Sequence, residues 1–213
     1  MHIIGHIPPG INDCLQVWSR NYHRILNRFE STVSGQFFGH THLDEFEIFY
    51  NENNNENKSA NCRVIRPFAV AYIAPCLTSY GYINPGYRIY QIQGETNGST
   101  YQVLDHETYF FNLTQANLNR NSKSIQYQLS YSAKSAYQLE QLTPFDWHHL
   151  VRRMINDDSL LQLFRKYMYN QSNYHKIDKC KDKNCKNALI CRLITSKSHD
   201  NFCKKFFKLT RRL

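Results

Sequence analysis

Two histidines one residue apart, His40 and His42, stand in Gly39-His40-Thr41-His42 directly after the apolar run Phe37-Phe38. Residues at i and i+2 of an extended segment point to the same side. Neutral imidazoles are good ligands for zinc-like ions. The backbone advances about 6–7 Å between the two. That spacing suits one ligand on each of two metals about 3.5–4 Å apart better than two ligands on one ion. The plain alternative is a surface His-x-His, because short motifs recur by accident. A third histidine, His6, follows the apolar run Ile3-Ile4 in the same way, after Gly5. Asp146-Trp147-His148 has an Asp-x-His form but lies in a region of helical period, and Asp105-His106-Glu107 lies inside a strand. His2, His23, His149, His175 and His199 lack ligand-like spacing, so core or surface roles are expected of them.

The elements that must carry these residues follow from periodicity. His2-Ile3-Ile4 reads as a buried strand ended by Gly5-His6, and Ile7-Pro8-Pro9-Gly10 cannot continue a sheet. A strand so short needs neighbours, and the native polypeptide is expected to extend further towards the N-terminus. Asp13 is the expected N-cap of a helix from about 14 to 30, whose apolar stripe is Leu15, Trp18, Tyr22, Ile25, Leu26 and Phe29. Gly35 to Phe38 is the next strand, so both histidine-bearing loops follow strand C-termini of a β-α-β crossover. Open α/β sheets place their sites there. Glu45 to Tyr50 reads as a half-exposed strand, Asn51 to Asn61 as a flexible loop, and Phe68 to Ile73 as a strand buried on both faces. Tyr87 to Gln93 and Tyr101 to Leu113 make an antiparallel pair. After residue 117 the period turns helical, through Leu129, Ala133 and Ala136, then Pro144 to Met154, then Leu160 to Met168.

At 213 residues, 41% hydrophobic and 14% aromatic, the chain can bury a real core and is globular rather than disordered. Its longest apolar run, Phe68 to Leu77, is too short to span a bilayer, and no signal peptide opens it. The net charge of +9 is concentrated late, in Lys176 to Lys186 and Lys204 to Arg212. It reads as a solvated basic tail, since no nucleic-acid motif accompanies it. Four of the seven cysteines crowd the tail: Cys180, Cys185, Cys191 and Cys203. Sequons stand at Asn57, Asn97, Asn112 and Asn170. Together these favour a secretory-route, oxidising environment. The rival reading of the four cysteines, a zinc site, lacks paired short knuckles.

The chain resembles the C-terminal half of the acid sphingomyelinases, within the calcineurin-like metallophosphoesterases. The resemblance rests on Gly5-His6-Ile7-Pro8-Pro9-Gly10, Gln36-Phe37-Phe38-Gly39-His40-Thr41-His42 and Asn84-Pro85-Gly86-Tyr87-Arg88. It continues through Val103 to Tyr109, Asn112 to Asn117 and Trp147 to Met154. It implies an α/β fold, an α+β sandwich represented by its C-terminal part over 1–117. A helical, disulfide-linked subdomain follows over 118–213. The implied activity is zinc-dependent hydrolysis of sphingomyelin to ceramide and phosphocholine, at a lipid surface approached peripherally.

By the same resemblance, His6 and His40 bind one zinc ion (Zn2+), His42 binds a second, and Tyr80 stands beside the phosphocholine headgroup. An aromatic beside a quaternary ammonium has a rationale in cation–π attraction, and an ordinary loop tyrosine is the even alternative. The implied disulfides are Cys180–Cys185 and Cys191–Cys203, with Cys14 paired outside this chain. Cys62 and Cys76 depart from the pattern and either pair together or leave Cys76 a buried thiol. The family also needs an Asp-x-His pair, an Asp bridging both metals and a Gly-Asn-His-Glu motif. None stands here in the right context. The chain alone is therefore expected to bind metal weakly or partially and to be inactive, or nearly so. A catalytically dead lipid- or partner-binding relative is the alternative.

Overall fold

The two apolar runs that precede the glycine–histidine steps form adjacent strands of one sheet. The structure is a computed structural model and describes residues 1–53, 64–94, 96–118, 126–174 and 180–210. β1 (His2–Ile4) and β2 (Gly35–Phe38) run parallel, and helix α1 (Gln16–Arg28) connects them. β4 (Val64–Ile73) lies parallel to β2 on its other side, and β3 (Glu45–Asn53) pairs antiparallel with β4. The order is β1-β2-β4-β3. A second, antiparallel sheet holds β5 (Gly86–Ile92), β6 (Val103–Phe110) and β7 (Gln128–Ser132) in chain order.

β4 is buried as expected, through Phe68, Val70, Ala71, Tyr72 and Ile73. β3 is not half-exposed. Phe46, Ile48 and Tyr50 join the main core, and Glu45, Glu47 and Phe49 on the other face are buried too. The two carboxylates tolerate burial because each has donors. Arg192 donates to Glu45 through two nitrogens at 2.7 and 2.8 Å, and the Gly10 N–H donates to Glu47 Oε2 at 3.0 Å. Burial still holds the Glu47 carboxyl well above the usual carboxylate range. At Gly10 a Cβ would fall 1.9 Å from the Thr195 carbonyl oxygen, so this close approach admits only glycine.

Helix α1 differs from its prediction at its start. It follows Leu15 and has no side-chain cap; Asp13 is turned to His40 instead. Of its apolar stripe only Leu26 is fully buried, with Tyr22 packed beside it, while Leu15, Trp18, Ile25 and Phe29 stay largely exposed. The sheet beneath ends at β1, so among the described residues the outer stripe has no facing strand.

The predicted helix through Leu129, Ala133 and Ala136 is divided. Leu129 lies in β7, and α3 (Ala133–Tyr137) begins one residue after that strand. Asp105 on β6 marks the junction, accepting from Ser132 Oγ at 2.7 Å and from the Lys134 N–H at 3.1 Å. The second hairpin strand is also shorter than predicted, ending at Phe110, and residues from Leu113 form helix α2 (Leu113–Leu118).

α4 (Pro144–Asn156) opens with a Thr143–Asp146 capping box and buries Trp147, Leu150, Val151 and Met154. α5 (Asp158–Met168) is capped by Asp157 and buries Leu160, Leu161, Phe164 and Met168. α6 (Lys183–Ile194) and α7 (Phe202–Thr210) follow; the disulfide Cys191–Cys203 ties α6 to α7, and Cys180–Cys185 ties α6 to the residue entering it. One core joins β3 and β4 to α3 through α7, so residues on both sides of position 117 share it. The fold is thus mixed α/β, with two sheets and disulfide-linked C-terminal helices. No described helix is long and apolar enough to cross a membrane.

Candidate functional site

Parallel pairing brings the ends of β1 and β2 level. The ladder runs on past both strands: Gly5 N–H donates to the Phe37 carbonyl and Gly39 N–H to the His6 carbonyl, each at 3.0 Å. His6 and His40 therefore leave the sheet side by side. Their rings meet edge to face with centroids 5.1 Å apart, and His40 Nδ1 lies 3.2 Å from His6 Nε2. His40 Nε2 lies 3.0 Å from Asp13 Oδ2. In the tautomer that donates from Nε2 to Asp13, the Nδ1 lone pair faces His6.

The spacing of this pair suits an N–H···N hydrogen bond and equally two ligands of one ion. Two nitrogens bound to one tetrahedral zinc at about 2.0–2.1 Å stand about 3.3 Å apart, close to the separation seen. A ligating histidine commonly donates its other N–H to a carboxylate, as His40 does to Asp13. The rest of a two-metal site is not assembled. Among the described residues no group of three or more His, Cys, Asp or Glu side chains is placed to hold an ion.

The turn itself is unusual. His40 and His42 have φ of 70° and 64°, the left-handed region that side chains other than glycine adopt at a cost of about 1–2 kcal/mol each. Thr41 stabilises it locally. Its N–H donates to the Gly39 carbonyl at 2.8 Å, and its Oγ1 accepts from the Leu43 N–H at 3.2 Å. The left-handed backbone also overrides the simple rule that i and i+2 side chains lie together. His42 turns to Tyr80, ring centroids 6.1 Å apart and nearly perpendicular. Tyr80 is 78% exposed.

Two residues on, Asp44 is buried and bonded to Arg88, to Thr108 Oγ1 at 2.8 Å and to Tyr131 OH at 2.6 Å. Nothing in the sequence singled out Asp44 or placed Asp13 against His40. The one available signal was the acidic residue close behind each turn.

Other histidine motifs are spent elsewhere. The Asp146 carboxylate closes the α4 capping box, and His148 Nδ1 lies 3.1 Å from Tyr50 OH. His106 is buried among Tyr72, Tyr90, Tyr131 and Trp147, where burial and Arg88 hold its pKa well below the ordinary value. Cys14 and Cys76 are free thiols among the described residues, both pushed up by burial, which is the opposite of an activated nucleophile. Cys62 lies outside the described residues.

The expected glycan at Asn170 does not suit the fold. Asn170 is fully buried and its Nδ2 donates to the Asn84 carbonyl at 2.9 Å, an exchange that pins the Asn84-Pro85-Gly86 turn. Asn97 is exposed, Asn112 half-buried, and Asn57 lies outside the described residues.

Fold and site thus define a mixed α/β protein with paired imidazoles at the ends of adjacent parallel strands. Residues 58–205 match the family described as the acid sphingomyelin phosphodiesterase C-terminal region, and the chain belongs to that family. Human sphingomyelin phosphodiesterase is 44% identical over 93% of this chain and 29% of its own length. Sphingomyelin phosphodiesterase 2 of Caenorhabditis elegans is 37% identical over 98% of this chain and 32% of its own. Mouse acid sphingomyelinase-like phosphodiesterase 3b is 30% identical over 90% and 41%. The chain therefore spans roughly a third of the length of the relatives it matches.

Proposed function

We propose that this chain is the C-terminal portion of a zinc-dependent phosphodiester hydrolase that cleaves sphingomyelin to ceramide and phosphocholine. His6 and His40 share one ion and His42 serves a second. The observation that carries this reading is the approach of His40 Nδ1 to His6 Nε2 at 3.2 Å, with Asp13 on the far nitrogen of His40. When bound, zinc supplies Lewis acidity toward a phosphodiester oxygen and a water of lowered pKa. The residues of this chain orient one side of the substrate. His6 and His40 would hold the ion at the strand ends, and the exposed Tyr80, beside His42, would meet the quaternary ammonium of the headgroup.

The two tail disulfides favour a secretory destination, extracellular or lysosomal, and contact with lipid is peripheral. By itself the chain is expected to hold one ion weakly and to turn over little or no sphingomyelin, because among the described residues no group of three or more His, Cys, Asp or Glu side chains completes a two-metal site. The test is zinc titration of the chain, its His6→Ala and His40→Ala variants, and a sphingomyelin assay with zinc present. Weak uptake by the parent, lost in both variants, with negligible turnover, is expected. Uptake unchanged in both variants refutes the ligand assignment. Turnover like that of a full-length enzyme refutes the incompleteness.

A further inference from the structure

We propose that Asp44 is a positioning residue whose buried contacts to the second sheet hold the His40–Thr41–His42 turn in its left-handed form. Asp44 lies two residues beyond His42, and a chain of two residues reaches only about 7 Å, so anchoring Asp44 restricts where His42 can lie. Its carboxylate is gripped by one residue from each strand of the second sheet: Arg88 of β5, Thr108 of β6 and Tyr131 of β7. Its backbone N–H donates to the Met168 carbonyl at the end of α5, at 3.0 Å.

The grip is braced from behind. Arg88 donates through Nε to Thr108 Oγ1 and through Nη1 to Tyr90 OH, each at 3.2 Å, and its guanidinium lies over the Tyr90 ring. The Arg88 and Asp44 side chains retain 1% and 3% of their exposure. A buried ion pair is a poor device for stability alone, since well-packed apolar residues of equal volume often do as well. It is a good device for fixing one geometry. Here it sits where a strained, non-glycine turn must be kept in one conformation.

On the far side of the turn, the hydrogen bonds of Gly39 and Ala74 to β-sheet neighbours hold the end of β2. The turn is thus clamped between the two sheets. The first sheet fixes His40, and the second, through Asp44, restricts His42.

The consequence for metal rests on the reading of His40 and His42 as ligands; the positioning is read without any metal. The experiment uses the full chain, isotope-labelled, with the variants Thr108→Val, Tyr131→Phe and Asp44→Asn. The readouts are imidazole carbon–proton resonances, melting temperature and cobalt(II) titration. His2 and His149 serve as internal references. In folded Thr108→Val and Tyr131→Phe the His42 resonances are expected to shift or broaden while the references stay in place. Cobalt affinity, where the parent binds, falls about tenfold or more, as for other residues that orient ligands.

Asp44→Asn should act more strongly; where it fails to fold, the two milder variants decide. A lowered melting temperature with His40 and His42 resonances unmoved marks a merely structural network and overturns the proposal. Resonances that move in a chain that binds no cobalt support the positioning and refute the ligand reading instead.

Discussion

His148 makes the chain lose stability as the medium becomes acidic, and one substitution isolates the effect. The imidazole sits half-buried on α4, hydrogen-bonded to Tyr50, and burial lowers its pKa from 6.5 to about 4, with His149 and then Arg152 adding to the shift. The folded-state pKa lies below the unfolded one. The unfolded chain therefore binds the extra proton first, and stability is full above about pH 6.5 and declines as pH falls towards 4. Each tenfold change in proton affinity is worth about 1.4 kcal/mol, so the upper bound on the loss is about 3 kcal/mol. His148 keeps some contact with water, whose screening reduces this to about 1–2 kcal/mol. His148→Gln keeps an acceptor for the Tyr50 hydroxyl but cannot titrate. Thermal melts of parent and variant at pH 7 and 4.5 should show the parent losing about 3–6 °C more than the variant. His106, buried and also shifted down, lowers both proteins alike and cancels. Parallel losses in the two proteins would refute the assignment.

Two further perturbations test how the tail is attached. Arg192→Ala leaves the buried Glu45 carboxylate without its bidentate partner and should lower stability by about 2 kcal/mol, read as a lower urea midpoint with unchanged slope; a midpoint within error of the parent would contradict the burial of Glu45. Cys191→Ser with Cys203→Ser opens a loop of sequence separation 12, and Cys180→Ser with Cys185→Ser one of 5. Chain entropy predicts losses of about 3 and about 2 kcal/mol, so the first pair should cost more in non-reducing urea titrations.

Much of this architecture is legible in residue order. The β1–α1–β2 crossover follows from two apolar runs flanking a helical period, and α4 and α5 from their apolar stripes. The motif Gly39-His40-Thr41-His42 named two imidazoles, and Gly5-His6 a third, because glycine after an apolar run marks a strand end. The family resemblance named the tail disulfides, and the fold closes both. Where local reading failed, long-range packing had overruled it. β7 looked helical because Leu129, Ala133 and Ala136 mimic a helical period. Pairing with β6 and the Asp105 contacts at Ser132 and Lys134 decided otherwise. β3 looked half-exposed because Glu45 and Glu47 alternate with apolar residues, yet Arg192, 147 positions away, and Gly10 supply what their carboxylates need.

The same division runs through the site. The sequence by itself determined which residues carry imidazoles at strand ends. Only the tertiary structure decided which of them meet. Parallel register sets His6 beside His40, the left-handed turn sends His42 towards Tyr80, and Asp13 leaves its expected helix cap for His40. The physical reason is that hydrophobic period and turn propensity are local, whereas a convergence of side chains depends on register and on the buried partners that clamp a strained backbone. For the His40–His42 turn that clamp is Asp44, held by residues 44, 64 and 87 positions further along the chain.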